Sequence, residues 1–222
     1  MDSMFRPLLG SLLLTVVAGC SIPTFEHPLV APEKAEVPPG TFGLYRAKGT
    51  DGDGEGYVHV GPAGGKFPPG FVRIVVVNHP TNATTALESS QFVGFLEPIG
   101  MSYLFHLPLP RGEMGLGEQT TVWMEQWDAS QLGGYLILRL APRDGGLGLS
   151  MVDSEFVAAE ITAGRLAGSV TEKQVGETSV RYKQILVTAT SPQLKVFFTQ
   201  HIDGPLFGKA STMLKKNDVD KH

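Results

Sequence analysis

From residue 41 to residue 216 the chain alternates short apolar runs with clusters of Gly, Pro, Asn and Asp. Runs rich in β-branched, aromatic and aliphatic side chains, bounded by turn formers, predict strands. The pattern places them at Thr41–Ala47, Tyr57–Val60, Phe71–Asn78, Gln91–Glu97, Met101–Leu109, Gly134–Ala141, Gly146–Val152, Val180–Thr190 and Ala210–Lys216. In the eighth of these, Val180, Tyr182 and Leu186 share one face while Arg181 and Lys183 take the other. Pro142-Arg143-Asp144-Gly145 joins the sixth and seventh as a turn, since Gly145 can adopt φ > 0.

Two stretches change period. Asp153 is placed to cap a helix over Ser154–Ala163, with Phe156, Val157, Glu160 and Ile161 grouped at helical spacing and Gly164 as the stop. Ser191 is expected to cap a second helix, with Pro192 at its first position and Leu194, Phe197 and Phe198 as its apolar face. Residues 111–131 fit neither period cleanly, although Trp123 and Trp127 would share a helical face. Sequential strands with short connections predict a mainly β fold, a single antiparallel barrel or half-barrel of about 8–10 strands with two short helices. A barrel of that size can be filled by its own side chains or left hollow.

The N-terminus has a different pattern. Arg6 precedes a 12-residue apolar run at 8–19, LLGSLLLTVVAG, which is shorter than the roughly 20 residues a bilayer span needs and suits a secretory signal. It ends in Val17-Ala18-Gly19-Cys20, and Cys20 is the only cysteine. This resembles the lipobox of bacterial lipoproteins. The resemblance implies cleavage after residue 19, lipidation of Cys20 with fatty acyl chains such as palmitate, and export to the membrane. Ser21 rather than aspartate after the cysteine implies outer-membrane sorting, with the body facing the periplasm. No thiol would then remain for a disulfide. Residues 21–40, with five prolines and no periodicity, read as a tether, so the expected organisation is signal 1–19, lipidated tether 20–40, barrel 41–216 and frayed tail 217–222.

Composition narrows the partners. A net charge of −4 with no long Lys/Arg cluster argues against nucleic acid. Gly (27) and Pro (16) favour turns over long helices. The stretch Asp51-Gly-Asp53-Gly-Glu55-Gly56 matches the first half of an EF-hand calcium loop, but its twelfth position is Pro62 and its flanks are strands, so it reads as a hairpin loop; Asp51, Asp53 and Glu55 remain the alternative calcium ligands. Gly61-Pro-Ala-Gly-Gly-Lys66-Phe67 misses the phosphate-loop spacing and reads as a turn. The histidines have no metal-ligand spacing, and no Gly-x-Ser-x-Gly elbow occurs, so neither a catalytic residue nor a cofactor is assigned. His59 and His106 fall within strands and can face a barrel interior, where a lone histidine is usually a hydrogen-bonded core residue. Glu113, Glu118, Glu125 and Asp128 crowd the segment holding both tryptophans and read as a solvated acidic loop. Trp123, Trp127 and His106 are the candidate ligand-binding residues, the tryptophans because they lie on the longest connection.

Gly43-Leu44-Tyr45-Arg46, opening the first strand, is similar to the Gly-x-Trp start of lipocalins, with tyrosine in place of tryptophan. Through GTFGLYRA, GYVHVG, TATSPQLKVFFTQH and LFGKASTMLKK the body also looks like a family of uncharacterised exported lipoproteins with lipocalin-like barrels. The resemblance implies a fold and offers no activity to carry over. The expected function is a non-enzymatic, membrane-anchored lipoprotein that binds a small apolar ligand or lipid. The alternatives are a structural or assembly subunit of the cell envelope acting through its surface, and an enzyme without a local signature.

Overall fold

The computed structural model describes residues 22–49, 55–78, 88–111, 128–143, 146–174, 181–209 and 212–216. The segment that resembles a lipobox, with Cys20, the tail 217–222, Asp51, Asp53, Trp123 and Trp127 lie outside the described residues, as do Glu113, Glu118 and Glu125.

Eleven strands are present: β1 (Thr24–Phe25), β2 (Gly43–Gly49), β3 (Glu55–Pro62), β4 (Phe71–Asn78), β5 (Glu88–Ile99), β6 (Ser102–Pro110), β7 (Leu132–Arg143), β8 (Gly146–Met151), β9 (Gly168–Gln174), β10 (Arg181–Val187) and β11 (Thr212–Lys216). Strands β2 to β8 pair antiparallel in sequence order, and β11 pairs with both β8 and β2, closing an eight-stranded antiparallel barrel. The barrel read from the sequence is therefore the fold that forms. Closure leaves no free edge among these eight strands.

A three-stranded extension leaves the barrel at β7. Strand β1 pairs antiparallel with β7 (Phe25 opposite Tyr135) and parallel with β10 (Phe25 opposite Val187), and β9 completes the β10 hairpin. Neither β1 nor β9 belongs to the sequence-based set. The stretch 22–40, expected as a tether, is built into the body: Phe25, Leu29 and Ala35 are buried, and the Ala35 carbonyl occupies the space a Cβ on Gly70 would need, 2.0 Å away.

Helix α1 (Ser154–Thr162) starts where the sequence places it. The Asp153 carboxylate accepts a hydrogen bond from the Phe156 N–H at 2.8 Å, satisfying one of the orphan donors of the first turn. Helix α2 (Ser191–His201) is capped by Thr190, one residue before the expected Ser191, because Gln193 reaches back to accept from the Thr190 N–H at 2.9 Å. Helix α1 packs on β9 and β10. On β10 the buried residues are Ile185 and Val187, on the face assigned from the alternation to Arg181 and Lys183. Lys183 is accommodated on that side by an ion pair with Glu155 of α1 at 2.8 Å.

Two polar groups tie the outer layers to the barrel wall. Lys195 of α2 pairs with Glu97 of β5 at 3.0 Å. Arg139 of β7, buried, donates from Nη1 to the Ile202 carbonyl at the end of α2 and lies over the Phe207 ring at 4.9 Å. A cation there also complements the negative end of the helix dipole. Among the described residues, no helix is long and apolar enough to cross a membrane.

Candidate functional site

The inward positions of the barrel are almost wholly apolar. Tyr45, Val58, Val60, Val72, Ile74, Val76, Phe92, Leu96, Phe105, Leu107, Leu138, Leu149 and Leu214 line an internal cavity of about 80 Å³. Their alternation follows from strand geometry: Phe105 and Leu107 point in, so His106 between them points out. The cavity is well below the 300–1,000 Å³ typical of small-molecule pockets. The interior is largely filled.

A depression of about 520 Å³ lies at one end of the barrel. It shares Thr41, Tyr45, Leu96, Leu140 and Leu147 with the walls of the cavity, so mouth and shaft adjoin. The β5–β6 turn, the flanks of the β7–β8 turn and the C-terminus of β11 frame this end, contributing Tyr103, Pro142, Arg143, Gly146 and Lys216.

A tight turn lies across the mouth. The Thr41 N–H donates to the Pro38 carbonyl at 3.2 Å, with Pro39 and Gly40 at the centre and Gly40 at φ 78°. Proline followed by a positive-φ glycine is the sequence a type II turn requires. Three side chains hold the turn, the first being Thr41, whose hydroxyl donates to the Pro38 carbonyl at 2.7 Å. The Tyr45 hydroxyl donates to the Thr41 carbonyl at 2.7 Å and to that of Gly40 at 3.3 Å, while Lys216 Nζ donates to Gly40 at 3.0 Å. Burial raises the Tyr45 pKa, which keeps the phenol protonated and able to donate. Register brings the last two latches together, since Lys216 sits opposite Tyr45 in the β11–β2 ladder.

His106 lies elsewhere. It is fully buried on the outer wall of β6, stacked on Phe95 with ring centroids 4.8 Å apart and planes 4° from parallel. Neither ring nitrogen has a hydrogen-bond partner among the described residues. Burial therefore lowers its pKa to about 3, so the ring is neutral at physiological pH. Tyr135 packs edge-on to the same Phe95, and burial with the nearby Glu33 carboxylate pushes its pKa up to about 12. The expected inward, hydrogen-bonded histidine is thus an outward one with no hydrogen-bond partner among the described residues. His59 is exposed on β3.

Asp128 and Glu55 do not assemble with the mouth. The strand ends at Pro110 and Leu132 are at the opposite end of the barrel from it. Asp128 accepts from the Ser130 N–H and hydroxyl at 2.9 and 2.7 Å, bonds that hold its carboxyl below the usual range in a short turn. Glu55 begins β3 at that opposite end, paired through the backbone with Lys48. Among the described residues, no three His, Cys, Asp or Glu side chains are grouped as a metal site. The Gly61–Phe67 stretch ends β3 and enters the β3–β4 connection, with Gly64 and Gly65 at positive φ.

Sequence reasoning did not single out Tyr103, Arg143 or Lys216, and it noted Tyr45 only as a strand opener. The available signal was the inward parity of each strand, combined with strand ends that converge once the barrel closes. Comparison with family models, with curated proteins and with solved structures finds no match to this chain.

Proposed function

We propose that the chain is a non-enzymatic envelope lipoprotein, anchored through Cys20, whose barrel mouth binds a small molecule with an apolar part. The observation that carries the binding reading is a mouth that shares five wall residues with an apolar cavity, under a turn held by four side-chain hydrogen bonds. The shaft of about 80 Å³ takes an alkyl tip, and the mouth takes the rest of the molecule. A drug-sized ligand does not fit wholly inside. The anchor reading rests on the residues up to Cys20.

Native mass spectrometry of the gently purified protein tests the binding. A persistent added mass that disappears on denaturation is the expected result. A bare protein that also takes up none of a panel of short alkyl compounds would overturn it. The second reading, a structural or assembly subunit, is favoured by one feature, the exposed Phe42, Leu44 and Tyr57 on strands β2 and β3 and just before them. Co-purification with a protein partner, lost on replacing Leu44 and Tyr57 by serine, would support it. Metabolic labelling with a radioactive fatty acid should mark the wild type and not Cys20→Ala; an unlabelled wild type would sink the anchor.

A further inference from the structure

We infer that the molecule taken by the mouth is a single-chain amphiphile with an anionic head, its apolar end in the shaft and its head between Arg143 and Lys216. This rests on the reading of the mouth as a binding site and names its ligand class. The walls change character from shaft to mouth: apolar in the shaft, with Tyr45 shared by both, and Tyr103, Arg143 and Lys216 added at the mouth. The described residues lining the mouth include no carboxylate, so an anion meets attraction from both cations and repulsion from no acidic lining group. A guanidinium offers a planar two-pronged donor for a carboxylate or phosphate, and an ammonium adds a point charge.

Lys216 is already positioned. Its stem runs against Gly43, where a Cβ would come within 2.9 Å of Cε, and its ammonium ends on the Gly40 carbonyl. That acceptor is replaceable, because Gly40 is exposed and water can donate to its carbonyl. An anionic head drawing Lys216 away leaves the carbonyl to water and frees one latch of the turn. Charge at the head and access to the shaft are thereby coupled. The size of the shaft selects one chain, since about 80 Å³ leaves no room for a second beside it.

Calorimetric titration of the full-length protein with octanoate and with 1-octanol tests the assignment. Octanoate should bind at least tenfold more tightly than octanol in low salt, and the advantage should shrink as salt is raised. In the double variant Arg143→Met, Lys216→Met the octanoate advantage should vanish, so that the two compounds bind equally. Both side chains are exposed, and thermal unfolding of the variant checks that the fold is kept. Equal binding of octanoate and octanol by the wild type would overturn the anionic head and leave the binding site standing. An octanoate preference that survives in the double variant would place the head elsewhere and overturn the assignment. Binding of neither compound would remove both the head and the site.

Discussion

The barrel interior and the layer outside its wall are both apolar, yet they are packed differently. Inside, mainly Val, Leu and Ile side chains leave about 80 Å³ open. Outside, aromatic rings lock together: Phe71 on Phe95 at 5.1 Å, Phe25 on Phe198 at 5.6 Å, and Phe198 on Phe207 at 5.9 Å. The largest fully buried side chains, Phe25, Phe71, Phe95 and Phe198, are all in the outer layer and none lines the cavity. In this protein the tight core is the one between the wall and its coverings, the N-terminal stretch and α2. The inside of the barrel keeps the small space of about 80 Å³ among its mainly aliphatic side chains.

The largest effect expected from that contrast is on stability in the outer layer. Phe95→Ala removes a ring that touches Phe71, His106 and Tyr135, and should cost about 3–5 kcal/mol by denaturant unfolding. A loss below about 1 kcal/mol would mean that the outer layer is not the tight core.

Next comes the acid limb. His106 has an ordinary pKa of 6.5 and a folded value near 3. Its pKa is depressed by folding, so the unfolded chain binds the proton first and stability falls as pH drops from about 6.5 towards 3. The slope from this one group approaches about 1.4 kcal/mol per pH unit within that window. His106→Leu should flatten the limb and, by removing two unpaired nitrogens, leave stability at neutral pH equal or slightly higher. Identical acid limbs in the two proteins would show that His106 does not report on the outer layer.

The smallest effect is inside. Val58→Ile adds one methylene beside the open space, and should change stability by less than about 1 kcal/mol while weakening uptake of octanol. A loss of 2 kcal/mol or more, on the order expected for overpacking, would show the interior to be as tightly filled as the layer outside.

The same contrast explains what could be read from the residues. The barrel strands carry their own signals, β-branched runs with turn chemistry between them, and β4 forms over the very residues expected, Phe71–Asn78. Strand β9, Gly-Ser-Val-Thr-Glu-Lys-Gln, is exposed at every position but Val170 and is held by its backbone ladder to β10, so it has no apolar pattern to detect. Strand β1 is two residues long, shorter than any period. His106 was legible as a buried strand residue, but which wall it faces depends on the closure of β6 against β5 and β7. The mouth was less legible still. Tyr45, Tyr103, Arg143 and Lys216 come from strands β2, β6, β7 and β11 and have no spacing in common along the chain. Only the register of the closed sheet sets Lys216 opposite Tyr45.

Strand β1 also sets an order of events. Phe25 can complete its hydrogen bonds only with Tyr135 and Val187, more than a hundred residues further along. A chain made from its N-terminus must hold that phenylalanine unpaired until nearly all of the rest exists. Closing so long a loop is entropically slow, and contacts of such separation form late. Pairing of β1 is therefore expected late in folding. Until it happens, Phe25 is open to water and to any chaperone that recognises exposed rings.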